Sequence, residues 1–293
     1  MKLSALFAQG KPTLSFEVFP PKSSDTMDSV KAATQAIARL HPDYMSVTYG
    51  AGGSTSIYTA EIASDLLHAY GITPLAHLTC VTATKETIQH QLQTLRAAGI
   101  ENILALRGDL PKGFTYNAAC HYRYAAELIE EIRKTGDFCI GGACYPECHP
   151  DSANSREDIQ WLKEKVERGC SFLTTQMFFD NNILYRFLYK IREAGIQVPV
   201  VAGIMPVTNA KQILRICALS GTALPQRFIS IVDRFGDDPD AMKQAGIAYA
   251  TDQIIDLLAN GVQAIHVYSM NKPEVAASIQ ANLSHIIPSA AQK

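Results

Sequence analysis

One acidic side chain stands among aromatic residues early in this sequence. Glu17 lies between Phe16 and Val18, near the end of an apolar run, and two prolines follow the run. Burial among apolar groups disfavours a charged carboxylate, so the pKa of Glu17 should rise and the group can serve as a general acid. A buried glutamate paired with an arginine or a backbone amide would show the same pattern, and both interpretations stay open.

A second acid follows a different apolar run. Asp109 comes after Arg107 and Gly108. Glycine allows a ligand to approach the backbone closely, and an aspartate beside it can tune a cofactor or bind a polar ring. The alternative is a turn in which Asp109 caps its own backbone.

Two histidines and a glutamine also lie in or just after apolar runs. His77 and His149 can each bind an anion, or can pack as neutral side chains. Gln176 carries an amide that can donate to and accept from a heterocycle, or can form a hydrogen bond within the core.

Other patterns carry less weight. Cys139, Cys144, Cys148 and His149 lack the usual zinc spacing, and positions 139 and 144 face opposite sides of a strand, so we predict no metal site. The glycine-rich segment 50–54 precedes a helical pattern and can cradle a phosphate, although the motif is weak. Dinucleotide, P-loop and catalytic-serine fingerprints are absent from the sequence.

Eight apolar runs must position these side chains. The first seven begin roughly 30 residues apart, the length of one strand–helix unit. Continuous apolar runs are typical of parallel strands covered on both faces. We therefore predict a single-domain (β/α)8 TIM barrel over residues 1–293, with the strand ends forming the active site. The runs are 14–19, 44–49, 73–80, 103–107, 138–145, 172–179, 198–205 and 264–270.

Helical patterns fill the intervals between the runs, and most of them stop at a glycine. The long interval between the seventh and eighth runs should hold extra helices in about 220–260, and a C-terminal helix should cover about 274–287. The other predicted helices are 24–40, 55–70, 84–98, 117–134, 152–168, 181–194 and 209–219.

Composition narrows the function classes. The chain has 293 residues, of which 47% are hydrophobic and 18% charged, with a net charge of −2. These values fit a large core and favour neither nucleic acid nor a membrane as partner. The sequence has no membrane-spanning run and no signal-peptide pattern, and its seven cysteines do not suggest a disulfide framework. We expect a cytoplasmic protein.

Seven segments together resemble the methylenetetrahydrofolate reductase family, in its short bacterial form. They lie on seven of the eight runs and follow the family's order along nearly the whole chain. The resemblance implies non-covalent FAD in the barrel mouth, NADH or NADPH as reductant, and ping-pong hydride transfer. The product would be 5-methyltetrahydrofolate, made from 5,10-methylenetetrahydrofolate for methionine synthesis. It also makes a homo-oligomer plausible. The segments are 16–22, 46–51, 77–80, 104–111, 145–147, 176–180 and 203–206.

The resemblance also implies residue roles. Glu17 matches the proposed general acid, and Asp109 an acid close to both flavin and folate. Gln176, Tyr268 and Lys272 match folate-binding positions. The FAD-binding positions would be Thr48, His77, Leu106, Arg107, Gly108, Asp109, Tyr145, His149, Asp158 and Lys165.

The chain departs from the family pattern at four positions. Ile216 replaces a phenylalanine that flanks the substrate, and Lys272 replaces an arginine, which keeps the charge but loses the bidentate fork. Trp161 and Glu164 differ on the adenosine side of the flavin site, where Glu164 would be unfavourable beside a diphosphate.

Two alternatives remain open. A flavin-free TIM-barrel lyase or aldolase would need an inward lysine or clustered carboxylates, and no apolar run contains such a lysine. A barrel that binds folate without turnover is the other alternative.

Overall fold

Eight parallel strands close into a barrel in the computed structural model, which describes residues 1–21, 26–49, 56–110 and 113–290 and omits the side chains of residues 56, 57 and 219. Each strand pairs with the next, and the last pairs with the first. The predicted TIM barrel is therefore confirmed. The strands are β1 (Thr13–Val18), β2 (Tyr44–Val47), β3 (Pro74–Thr79), β4 (Asn102–Leu106), β5 (Cys139–Cys144), β6 (Phe172–Thr175), β7 (Val200–Ile204) and β8 (Ala264–Val267).

Helices surround the barrel, and three of them occupy the long connection from β7 to β8. The phosphate-cradle candidate at 50–54 and the predicted helix start at 24 lie outside the described residues. The helices are α1 (Leu3–Phe7), α2 (Met27–Ala38), α3 (Ser56–His68), α4 (Lys85–Ala97), α5 (Ala125–Thr135), α6 (Ser155–Glu167), α7 (Asn181–Glu193), α8 (Ala210–Ser220), α9 (Gln226–Phe235), α10 (Pro239–Ala259) and α11 (Pro273–Leu283).

The helix predicted over 117–134 begins later, at Ala125. The Asn117 side chain accepts a hydrogen bond from the Ala119 amide (3.0 Å), which makes a local turn. The Glu127 carboxylate accepts from the Arg123 amide (2.6 Å) and thereby caps the start of α5. Local side-chain bonds to the backbone therefore compete with the helix and delay it.

The floor of the barrel is apolar, and it is closed by α1, which the sequence did not predict. Leu3 and Leu6 of α1 pack among inward side chains that include Tyr44 and Phe172. Asn102 is buried and fixes this plug, because its amide donates to Met1 O (3.1 Å) and its oxygen accepts from Leu3 N (2.8 Å). In the part of the chain that the structure describes, α1 therefore closes this end of the barrel, and the opposite end is left for ligand access.

The outer helices are amphipathic and begin at polar caps. In α7, Leu184, Phe187 and Ile191 share one buried face, and the Asp180 side chain accepts from the Asn182 amide (2.9 Å). Among the described residues, no helix is long and apolar enough to cross a membrane. The outer layer thus holds the strand ends in place at the barrel mouth.

Candidate active site

Glu17 and His77 meet at the C-terminal end of the barrel. The Glu17 Oε2 atom lies 3.9 Å from His77 Nε2, and only 14% of the Glu17 side chain is exposed. Burial raises the pKa of Glu17 to about 8 and lowers the pKa of His77 to about 3. Near neutral pH both groups are therefore largely uncharged, so the contact is a neutral acid beside a neutral imidazole. This charge state is the one a general acid requires.

A buried polar network, which was not predicted from the sequence, lies beneath Glu17. The ring nitrogens of His266 are 2.7 Å from the Ser15 hydroxyl and 3.1 Å from the Ser46 hydroxyl. Burial, with a smaller effect of His77, lowers the pKa of His266 to about 3. The alternation of side chains along each strand could have indicated this network. Position 266 must face the same side of its strand as Tyr268, and position 15 the same side as Glu17.

Tyr268 forms the neighbouring wall of the mouth. Its hydroxyl donates to the Thr175 carbonyl oxygen (2.6 Å), and its ring meets the His266 ring edge-on at 5.4 Å. Burial raises the pKa of Tyr268, so the phenol stays protonated. Gly203 is required at this point, since a Cβ there would overlap both the Tyr268 hydroxyl and the Thr175 carbonyl. The predicted folate position 268 thus lies against the end of β6.

The loop after β8 is tied to the end of β1. The Ser269 hydroxyl donates to the Glu17 carbonyl oxygen (2.9 Å). The Asn271 side chain accepts from the Phe19 amide and donates to the Phe19 carbonyl (both 2.9 Å). Lys272 follows directly, and its ammonium donates to the Thr208 hydroxyl (2.6 Å). The loop therefore brings Lys272, a predicted folate-binding residue, to the same end of the barrel as Glu17.

The end of β4 forms the opposite rim. Gly108 has a φ of +88°, and a Cβ there would press on Thr79 at 3.0 Å, so glycine is needed for this close approach. Arg107 pairs with the exposed Asp151 (2.6 Å). The Asp151 amide donates to His149 Nδ1 (3.0 Å), and the rings of His149 and Tyr145 meet edge-on at 4.5 Å. The structure thus brings four predicted FAD-binding positions together: 107, 108, 145 and 149.

Helix α6 places the two remaining charged candidates beside that rim. The Asp158 carboxylate accepts from the His149 amide and from the Ser152 hydroxyl (both 3.3 Å). The Lys165 ammonium donates to the Ala143 carbonyl oxygen (2.9 Å), and burial lowers the pKa of Lys165. Glu164 is paired with Arg168 (2.6 Å) one turn further along the helix, so its charge is already compensated.

The other predicted site residues also lie at or near the mouth. Gln176 is half-buried just after β6 rather than within a strand, and its side-chain oxygen accepts from the Met177 amide (3.0 Å). Asp109 is exposed, while Leu106 and Thr48 are half-buried at the ends of β4 and β2. Ile216 packs against the cluster under α8 and α9, which Met205 and Tyr268 also contact.

The cysteines occupy separate places. Cys139 belongs to the floor of the barrel, and Cys144 to the core between the barrel and its helices. Within the described ranges, no group of three or more His, Cys, Asp or Glu side chains could hold a metal ion.

Comparisons with known proteins show which family the chain is similar to. The family model described as methylenetetrahydrofolate reductase matches residues 2–284. A methylenetetrahydrofolate reductase (NADH) of Arabidopsis thaliana is 36% identical over 97% of this chain, which spans about half of that relative's length. A 5,10-methylenetetrahydrofolate reductase of Pectobacterium carotovorum is 34% identical over 92% of this chain and 90% of its own.

A solved structure shares the fold at low sequence identity. A Clostridium thermocellum protein, described as binding two copies of 5-methyl-5,6,7,8-tetrahydrofolic acid, superposes with a TM-score of 0.66 at 14% identity. It covers 98% of this chain, which supports the barrel fold alone. The family match extends over almost the entire sequence. The chain therefore belongs to the methylenetetrahydrofolate reductase family.

Proposed function

We propose that this chain is a flavin-dependent oxidoreductase that reduces 5,10-methylenetetrahydrofolate to 5-methyltetrahydrofolate, with NADH or NADPH as electron donor. The observation that carries the proposal is the buried acid Glu17, whose pKa of about 8 keeps it protonated near neutral pH at the open end of the barrel. Family membership supplies the substrate class, and this acid supplies the proton that the reaction needs.

The residues at the rim suit a flavin dinucleotide. His77 Nε2 is buried without a hydrogen-bond partner in the described structure, so it can meet a polar ring atom of a ligand. Gly108 lets the backbone after β4 pack directly against Thr79, and this contact would shape the rim beside the flavin. Arg107 and Lys165 supply positive charge for a diphosphate, and Asp158 supplies an acceptor for ribose hydroxyls.

Bound FAD would supply a two-electron carrier that takes hydride from the nicotinamide and gives it to the folate. Asp109, at the exposed mouth, would add negative charge near the reacting rings. Leu106, Thr48, Tyr145 and His149 would line the flavin site on its β2, β4 and β5 sides.

Glu17 has a defined chemical task. The methylene bridge of the folate must open before its carbon can accept hydride, and opening requires protonation of a folate nitrogen. Protonated Glu17 gives its proton to that nitrogen, the carbon–nitrogen bond breaks, and the resulting iminium carbon takes the hydride. Glu17 is left as a carboxylate in a site where burial favours the protonated form, so proton recovery from solvent is downhill.

Two further side chains would hold the folate. Gln176 can donate to and accept from the pterin ring once its oxygen leaves the Met177 amide. Lys272 can exchange the Thr208 hydroxyl for a carboxylate of the folate glutamate.

The test is an anaerobic titration of purified protein, followed by flavin absorbance. We expect yellow protein that is bleached by NADH or NADPH, each tried separately, and that recovers its colour when methylenetetrahydrofolate is added. A folded sample that neither contains nor takes up flavin would refute the proposal and favour a flavin-free lyase. A flavin that is reduced but never reoxidised by the folate would favour a barrel that binds folate without turnover.

A further inference from the structure

A tight turn with a left-handed backbone follows β8 at the mouth of the barrel. The Lys272 amide donates to the Ser269 carbonyl oxygen (3.0 Å), which closes a four-residue turn. The two central residues, Met270 and Asn271, have φ values of +55° and +53°. Adjacent non-glycine residues in this conformation are strained, and such strain persists only where surrounding contacts enforce it.

The side chain of Asn271 supplies the contact that holds this turn. Its amide carries an acceptor and a donor side by side, which match the N–H and C=O groups of a backbone residue. It accepts from the Phe19 amide and donates to the Phe19 carbonyl oxygen, both at 2.9 Å. The regular pairing of β1 with β8 stops earlier, at Phe16 and Val267. The asparagine therefore extends the join between the first and last strands beyond the point where their backbones part.

This join lies between two residues of the proposed folate site. The buried Ser269 hydroxyl donates to the Glu17 carbonyl oxygen (2.9 Å), and Asn271 holds the backbone two residues further on. Lys272 comes directly after Asn271 and occupies the N-cap position of α11. The turn thus fixes the backbone of the acid on one side and the start of the lysine-bearing segment on the other.

Glycine would form the same turn with less backbone strain, because it adopts positive φ freely. It would leave both backbone groups of Phe19 without this partner. What asparagine adds at position 271 is therefore the pair of hydrogen bonds across the seam, and these are the contacts whose purpose needs an explanation.

We propose that Asn271 is a positioning residue for folate reduction: by holding the backbone of Phe19, it fixes the proton donor Glu17 relative to the substrate-binding Lys272. The inference rests on the proposed function and adds to it a residue that acts through its neighbours rather than on the substrate. A displacement of about 1 Å, caused by a residue away from the reacting atoms, can slow a reaction about 10²-fold.

The first test compares two glycine variants in stopped-flow kinetics of the two half-reactions. Asn271→Gly removes both hydrogen bonds but still permits positive φ, so the turn itself can form. His41→Gly is the matched control, because His41 is exposed before β2, at the other end of the barrel, and also has positive φ (+54°).

Flavin reduction by the nicotinamide should keep its wild-type rate in both variants. At saturating methylenetetrahydrofolate, flavin reoxidation should slow by about 10–10²-fold in Asn271→Gly, because the acid is displaced, and should be unchanged in His41→Gly. Equal slowing of both half-reactions in Asn271→Gly would contradict a role specific to the folate.

A double-mutant cycle separates positioning from a general loss of order at the mouth. In the Glu17→Gln background, Asn271→Gly should slow reoxidation by less than about threefold, since the acid that it positions is already gone. If the two losses multiply, the residues act independently and the inference is wrong.

Binding provides a readout without turnover. Calorimetry of the oxidised protein with 5-methyltetrahydrofolate should show about tenfold weaker binding in Asn271→Gly, the range for loss of one hydrogen bond to a charged group, because Lys272 is displaced. Asn271→Ser is the second variant, since its shorter side chain cannot span both backbone groups of Phe19, and it should follow the same pattern.

The outcomes distinguish the two claims. Wild-type protein whose reduced flavin is not reoxidised by the folate contradicts the proposed function. Wild-type turnover together with unchanged kinetics and binding in Asn271→Gly contradicts only the role of Asn271. If circular dichroism shows that Asn271→Gly and Asn271→Ser are both unfolded, the residue serves the fold rather than the reaction, and the inference is likewise contradicted.

Discussion

Replacing the buried acid by its amide should make the protein more stable at neutral and alkaline pH. Glu17 has a pKa of about 8 in the folded chain, against 4.5 for a free side chain. Because the folded pKa is the higher one, the contribution of Glu17 to stability is complete below pH 4.5 and is lost as the pH rises towards 8. Glu17→Gln has no such titration and keeps the side-chain shape.

The expected size follows from these two pKa values. Each pKa unit corresponds to about 1.4 kcal/mol, so ionisation in the unfolded chain costs the native state about 0.8 kcal/mol at about pH 5 and about 4.4 kcal/mol at about pH 8. The difference in unfolding free energy between Glu17→Gln and wild type should thus grow by about 3.5 kcal/mol over this range. Titrations of His77 and His266 occur in both proteins and largely cancel in the difference.

The assay is urea-induced unfolding followed by circular dichroism, at several pH values, for wild type, Glu17→Gln and a control. Glu193→Gln is the matched control, since Glu193 is exposed at the end of α7. The control should follow the wild-type pH dependence. If the Glu17→Gln difference changes by less than about 0.5 kcal/mol, the size of an ordinary surface substitution, burial does not raise the pKa of Glu17 and the acid assignment loses its basis.

Three further predictions concern the barrel and its mouth. Gly203→Ala should lower the unfolding free energy by about 1–3 kcal/mol in the same assay, because the new Cβ overlaps the Thr175 carbonyl and the Tyr268 hydroxyl. Unchanged stability would contradict the close packing of Tyr268 and Thr175 against Gly203. Asn102→Ala should lower the unfolding free energy by about 1–3 kcal/mol, because it leaves the buried Leu3 amide without its acceptor. A neutral effect would argue against the plug that α1 forms at the floor of the barrel. Lys272→Met should raise the KM for methylenetetrahydrofolate about tenfold in steady-state kinetics, while the rate of flavin reduction by the nicotinamide stays the same. If the variant impairs flavin reduction as much as folate turnover, Lys272 belongs to the flavin site instead.

The barrel could be predicted from sequence because its signals are local and repeated. Each strand is a short apolar run covered on both faces, and the intervening helices end at glycines such as Gly71, Gly99 and Gly195, which have positive φ. The five-residue helix α1 escaped prediction because it is too short for periodicity to show. Its position depends on Asn102, nearly a hundred residues away in sequence.

The residue types of the site could be predicted from the sequence, but the contacts between those residues could not. Local sequence placed Glu17 among apolar residues, and burial then dictates the direction of its pKa shift. Arg107 contacts Asp151, and Lys165 contacts a backbone carbonyl. Each of these contacts joins two segments whose relative position depends on loop geometry. His266 was missed because a lone histidine in an apolar run has no chemical signature until strand register places it between Ser15 and Ser46.

The role of Glu17 as the proton donor to the folate is tested most directly by single-turnover kinetics of the two half-reactions, measured side by side for wild type and Glu17→Gln. Flavin reduction by the nicotinamide should proceed at nearly the same rate in both proteins. Flavin reoxidation by methylenetetrahydrofolate should slow by about 10²–10⁴-fold in the variant, the usual loss when a general acid is removed. A variant that reduces the folate at the wild-type rate would contradict the assignment of Glu17.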